Sequence, residues 1–122
     1  MKKVLIIEDN NDNSRLLTIA LTRAGYDVIS AQSGEDGCLL VGTPGILFIL
    51  LDINLPGMDG FNVMSRLRDR PGGHPPVIAI TSHAMTGDRE RILSAGFCGY
   101  FEKPFDPVTI VDGIHRVLGL KS

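Results

Sequence analysis

A doubly wound α/β sandwich is the fold class this sequence predicts, and three observations carry it. Short runs of consecutive apolar residues, Val4–Ile7, Ile46–Leu51 and Val77–Ile80, have the length and continuity of strands covered on both faces. Segments with apolar residues at helical spacing follow them. The breaks between are polar or rich in Gly and Pro, and none is long enough to link a second domain.

Taken in order, Val4–Ile7 predicts β1, and Glu8-Asp9-Asn10-Asn11-Asp12-Asn13 ends it abruptly with several residues able to cap a helix. Leu17, Ala20, Leu21 and Ala24 then recur at helical spacing, with Arg15 and Arg23 left wet and Gly25 as the stop. Val28 and Ile29 make Tyr26–Ala31 the second strand. A helix starting at Ser33-Gly34-Glu35-Asp36 and ending near Gly42 follows, and Gly37 interrupts and weakens it. After Thr43-Pro44-Gly45 comes the six-residue apolar run of the central strand, ending beside Asp52.

Phe61, Val63, Met64 and Leu67 form the apolar face of a helix beyond Pro56-Gly57, reaching about Arg70. Val77–Ile80 is the fourth strand, Asp88 caps a helix over Glu90–Ala95, and Cys98–Phe101 is a short fifth strand. Pro107 is expected in the first turn of the last helix, with Asp106 before it and Val108, Val111, Ile114 and Leu118 along one side. Right-handed crossovers in these five βα units put helices on both faces of a mainly parallel sheet.

At 122 residues the chain supports one core, so residues 1–122 are expected to form a single domain. Hydrophobic residues make up 43% and charged ones 21%, which is globular, and 12 basic against 14 acidic residues lack the concentrated positive charge of a general nucleic-acid binder. The longest strongly apolar run falls far short of a membrane span. Lys2 and Lys3 precede only four apolar residues, which is no secretory signal, so a cytoplasmic location is expected. Cys38 and Cys98 are expected as small reduced core residues. His74 and His115 are expected on a loop and a helix surface, and the scattered His and Cys residues lack zinc-ligand spacing.

Ligand chemistry in open α/β sheets lies beyond the carboxyl ends of the strands. That rule gathers Glu8, Asp9, Asp52, Thr81 and Lys103 at one edge, after the first, third, fourth and fifth strands. Taken singly, each has an ordinary explanation: a solvated acidic pair, a turn cap, a strand-end hydroxyl, an exposed lysine. Together they supply hard oxygen ligands for Mg2+, a carboxylate able to attack phosphorus, and a cation and hydroxyl to hold phosphoryl oxygens.

On these residues the sequence resembles the receiver domain of two-component response regulators across essentially its whole length. Glu8-Asp9 matches the acidic pair, with Glu in place of the commoner Asp, Asp52 the phosphoacceptor, Thr81 the hydroxyl position and Lys103-Pro104 the lysine-proline signature. Asp52-Ile53-Asn54-Leu55-Pro56-Gly57-Met58-Asp59-Gly60 is similar to the family loop after the acceptor. The resemblance implies a three-layer α/β/α sandwich with strand order 2-1-3-4-5, an order for which a chemotaxis receiver is itself a standard illustration. It also implies a Mg2+ site of Glu8, Asp9, Asp52 and the Asn54 backbone carbonyl, a cis Lys103–Pro104 peptide, and a Thr81–Tyr100 switch coupled to the face formed by the fourth helix, the fifth strand and the fifth helix. Asn54 and His83 would modulate dephosphorylation.

The implied function is a phosphoacceptor switch that takes a phosphoryl group from phosphohistidine onto Asp52 and assists that transfer and its own hydrolysis, without being an enzyme in the ordinary sense. The implied partners are a histidine kinase or histidine phosphotransfer protein upstream and a protein target downstream, with no direct nucleic-acid contact and no membrane insertion. Three rivals fit less well. A haloacid-dehalogenase-like phosphatase needs an acid two residues beyond its nucleophile, where this chain has Asn54. A non-phosphorylated adaptor of the same fold has no need of the intact pocket. A flavodoxin-like carrier needs a phosphate-cradling first loop, and Glu8 and Asp9 would repel a cofactor phosphate.

Overall fold

The computed structural model describes residues 2–82 and 88–120. The elements alternate without exception: β1 (Lys3–Ile7), α1 (Asn11–Arg23), β2 (Asp27–Ala31), α2 (Gly34–Leu40), β3 (Ile46–Asp52), α3 (Gly60–Arg68), β4 (Val77–Thr81), α4 (Asp88–Ser94), β5 (Gly99–Glu102) and α5 (Ile110–Leu118). All neighbouring strands pair in parallel, in the order β2-β1-β3-β4-β5. None of the described helices is long and apolar enough to cross a membrane.

Local chemistry starts several helices. The Asn10 side chain accepts from Asn13 N–H at 2.9 Å, Ser33 Oγ from Asp36 N–H at 3.1 Å and Asp59 Oδ1 from Asn62 N–H at 2.9 Å, each satisfying an otherwise orphaned donor. Gly25, at φ 95°, takes the left-handed turn after α1.

Strand alternation divides the core into two layers. Leu5, Ile7, Ile49, Leu51 and Ala79 meet Val63, Met64, Leu67 and Ile92 of α3 and α4 on one face of the sheet. Val4, Ile6, Phe48, Leu50, Ile78 and Ile80 meet Leu17, Ala20, Leu21, Ile110 and Ile114 of α1 and α5 on the other.

Several expectations need correction. Gly37 does not interrupt α2, which runs through it, and it permits the helix to pack, because a Cβ there would come within 2.5 Å of Ile7 Cδ1. Tyr26 lies before β2, buried, with its ring edge-on to Phe48 at a centroid separation of 5.4 Å. His115 is half-buried rather than fully on the helix surface: its Nε2 lies 2.7 Å from Tyr26 Oη and its Nδ1 is buried. Cys98 is exposed rather than core, its Sγ donating to the Val77 carbonyl at 3.3 Å, and Cys38 is half-buried; both are free thiols. Asp88 is itself helical.

At the last helix, Pro107 falls in a turn ahead of α5, which starts only at Ile110. Asp106 organises that turn, its Oδ1 accepting from Val108 N–H at 2.8 Å and its carbonyl from Ile110 N–H at 2.9 Å. Val108 is therefore 80% exposed instead of lying on the apolar side with Ile114.

Candidate functional site

Asp52 is the last residue of β3 and Thr81 the last of β4; Glu8 and Asp9 follow β1, and Lys103 follows β5. The ladders run one residue past β1 and β5, since Glu8 N–H donates to the Ala31 carbonyl at 3.0 Å and Lys103 N–H to the Thr81 carbonyl at 2.8 Å. By alternation, Glu8, Asp52 and Lys103 share the α1/α5 side of the sheet with Ile6, Leu50 and Phe101. Thr81 follows Ala79 on the opposite side, where Ala79 is the register partner of Tyr100.

Glu8, Asp52 and Thr81 are the buried polar residues among those described, each 1% exposed. Lys103 Nζ bridges the two acids, 2.7 Å from Glu8 Oε1 and 2.9 Å from Asp52 Oδ2. Only the Asp52 contact has hydrogen-bond geometry, so neither Glu8 oxygen has a hydrogen-bond partner. Asp52 is better supported, because Asn54 N–H also donates to its Oδ1 at 2.8 Å. Burial and the proximity of Asp52 push the Glu8 carboxyl up to about 7, with Lys103 opposing. For Asp52 burial pulls upward too, but the neighbouring Glu8, the Asn54 N–H and Lys103 outweigh it and hold the carboxyl below its usual value. The two acids titrate as a coupled pair, with Glu8 shifted upward and Asp52 downward. Burial depresses Lys103, yet its two carboxylate partners raise it overall, so it stays cationic.

Asp9 is exposed and completes the acidic group: carboxylate oxygens of Glu8, Asp9 and Asp52 lie within 4.8 Å of one another. Three carboxylates against one ammonium, with an unsatisfied Glu8 among them, are a donor set suited to a hard divalent cation. The residues present fit Mg2+.

The Lys103–Pro104 peptide is cis. Tyr100 is half-buried and packs against the α3/α4 layer, whereas Phe101 packs against the α1/α5 layer. His83 lies outside the described residues. Two features had no sequence signal. The Asn54 side chain reaches across to the β4 end, its Oδ1 accepting from Ser82 N–H at 3.0 Å. A cleft of about 230 Å³ opens beside Thr81, lined by Asn54, Asp59, Phe61 and Arg91, with the Arg91 guanidinium stacked 4.1 Å from the Phe61 ring centre.

Comparison with known proteins agrees with this geometry. The polar-differentiation response regulator DivK of Brucella ovis is 37% identical over 119 residues, covering 97% of each chain. The hybrid signal transduction histidine kinase I of Dictyostelium discoideum is 35% identical over 122 residues, and there the match takes up 7% of the longer protein. Among solved structures, the receiver domain of a Pseudomonas aeruginosa sensor histidine kinase, determined with a magnesium ion coordinated in its active site cleft, superposes with a TM-score of 0.84 at 31% identity, covering 97% of this chain and 98% of that one. Residues 4–115 match the response regulator receiver domain. That match runs from β1 into α5, and the chain belongs to the response regulator receiver domain family.

Proposed function

We propose that Asp52 is the phosphoacceptor of this two-component signalling domain and that residues 1–122 act as one receiver unit. The observation that carries the assignment is the contrast between neighbouring acids: Asp52 is buried yet kept ionised, with Lys103 on one oxygen and the Asn54 N–H on the other. An ionised carboxylate oxygen is the nucleophile the reaction needs. It forms the new O–P bond as the P–N bond of a donor phosphohistidine breaks, and the leaving imidazole nitrogen keeps the electron pair and takes up a proton.

Lys103 remains to hold a phosphoryl oxygen, and the Thr81 hydroxyl serves another from the opposite sheet face. Glu8, Asp9, Asp52 and the Asn54 backbone carbonyl would hold Mg2+, with Glu8 acting partly through water. When bound, the ion supplies positive charge that offsets repulsion between the carboxylates and an incoming phosphoryl group. The same pocket assists hydrolysis of the aspartyl phosphate, with Asn54 and His83 as modulators.

The donor is a histidine kinase or histidine phosphotransfer protein in the cytoplasm. The output is a protein target that reads the α4–β5–α5 face as Thr81 and Tyr100 change packing; nucleic acid and membrane are not contacted. Acetyl phosphate with Mg2+ is expected to add one phosphoryl group to Asp52, located by mass spectrometry, and Asp52→Asn to take up none while remaining folded. Modification elsewhere with Asp52 untouched would reject the assignment. Asp9→Ala is expected to weaken Mg2+ binding by at least about tenfold in a fluorescence or NMR titration, since even residues behind a ligand commonly cost that much.

A further inference from the structure

The β2 edge of the sheet carries features that the proposed phosphoryl chemistry does not use. β2 pairs with β1 alone, so its outer side presents unpaired backbone N–H and C=O groups. Asp27 N–H donates to the Lys2 carbonyl and the Ala31 carbonyl accepts from Glu8 N–H, which turns the backbone groups of Asp27, Ile29 and Ala31 toward β1 and those of Val28 and Ser30 outward. Beside this edge a groove of about 320 Å³ runs between β2 and α2, lined by Ser30, Ala31, Gln32, Asp36, Leu39 and Leu40. Leu40 packs against the core, whereas Leu39 is 80% exposed. The groove is preformed, because α2 is seated closely on the core: a Cβ at Gly34 would come within 2.7 Å of Val63 Cγ2. The charged side chains of β2 and α2 are all acidic, Asp27 on the strand and Glu35 and Asp36 on the helix. Among the described residues none of the three forms an ion pair. From Ala24 to Ser65 the sequence contains no lysine or arginine.

We propose that this edge is a docking site for an extended, basic segment of a partner protein, which adds to the sheet as a further strand along β2. Its backbone pairs with Val28 and Ser30. Of the side chains it turns toward α2, an apolar one covers Leu39 in the groove, and a lysine or arginine two residues to either side meets Asp27 at the start of β2 and Asp36 beside its end. Asp27 is on that side of the sheet by alternation, in one row with Ile29 and Ala31, which pack into the α2/α3 layer. Charge decides the occupant. Two copies of this chain pairing through β2 would set acid against acid at both ends of the groove, and like charges opposed across a ladder destabilise it. The acids that keep copies apart attract a basic strand, so the same residues give both the exclusion and the preference. The proposal does not rest on Asp52 being the phosphoacceptor.

The test uses the whole chain, isotope-labelled for NMR, and a blocked peptide in which threonine alternates with arginine, phenylalanine and arginine. Saturable shifts are expected across β2 and α2, with amide exchange at Val28 and Ser30 slowed by about threefold or more as their outward groups become paired. The binding midpoint should rise by at least about threefold between low salt and about 0.5 M salt, as screening removes the attraction. Leu39→Ser should weaken binding by about threefold to tenfold through lost apolar contact, and Asp36→Lys by about tenfold or more through like-charge repulsion. Both side chains are exposed, so these variants should keep the wild-type thermal midpoint. A peptide with glutamate in place of each arginine should produce no shifts. The docking site would be overturned by an absence of saturable shifts across β2 and α2 up to about 1 mM arginine peptide, or by equal binding of the glutamate peptide. Binding that is unchanged in both Leu39→Ser and Asp36→Lys would also overturn it. A dimer in sedimentation that Asp36→Lys dissociates would overturn the choice of occupant and give the edge to a second copy.

Discussion

The two sides of the sheet solve different problems. The α1/α5 side carries Glu8, Asp52 and Lys103 above a layer closed by the Tyr26–Phe48 ring contact and the Tyr26–His115 hydrogen bond. The α3/α4 side carries Thr81 and Tyr100, and there the 230 Å³ cleft lies between the loop after β3 and α4. Charge is thus concentrated where the supporting layer is tied to itself, while the proposed readout residues sit where space is open. A buried ion cluster needs partners held in place, because each unpaired charge is costly. A switch needs room for a second packing. Alternation along β3 and β4 provides both requirements at one edge, since the last residues of these paired strands, Asp52 and Thr81, point to opposite faces.

Glu8→Gln probes the charged side, and its effect should be the largest. In the folded, metal-free protein the Glu8 carboxyl is raised from 4.5 to about 7, so the fold favours the protonated form. Stability from this group is therefore fully present below about pH 4.5 and is lost as pH rises through about 7. Chemical denaturation at pH 5 and pH 8 without Mg2+ should show Glu8→Gln gaining on wild type by about 2–3 kcal/mol across that interval. An equal difference at both pH values would mean that Glu8 ionises normally.

Gly37→Ala strikes the other side of the sheet. Its Cβ would meet Ile7 Cδ1 at 2.5 Å and Cγ1 at 2.8 Å, forcing α2 or the core to move, and a loss of about 1–3 kcal/mol is expected by urea unfolding. A gain in stability, as helix propensity alone would predict, would show that the layer yields freely. Tyr26→Phe is the mildest of the three: it removes the hydroxyl facing His115 Nε2 and is expected to cost about 1 kcal/mol. Acetyl phosphate labelling of Asp52 should survive it, since Tyr26 supports the layer beneath the charges rather than the charges themselves.

The sequence by itself determined the layered α/β architecture and which candidate residues lie at one edge of the sheet. Continuous apolar runs in β1, β3 and β4 can be satisfied only by burial on both faces, and charged residues at the ends of such runs must emerge at a common edge of a parallel sheet. Glu8, Asp9, Asp52, Thr81 and Lys103 were legible for that reason, although the strand order came through resemblance. Tertiary structure decided what depends on distance across the chain. Gly37 looked like a helix defect because its neighbour Ile7 is 30 residues away, and His115 looked solvent-facing because its partner Tyr26 belongs to the turn between α1 and β2. Val108 fitted the helical pattern, but it lies in the turn that Asp106 organises ahead of α5 and is exposed. Likewise, only the folded chain pushes the Glu8 carboxyl up and the Asp52 carboxyl down, because the Asn54 N–H and Lys103 hydrogen bonds support Asp52. Periodicity reports which residues must be buried; the partner each one meets is set by packing between segments distant in sequence.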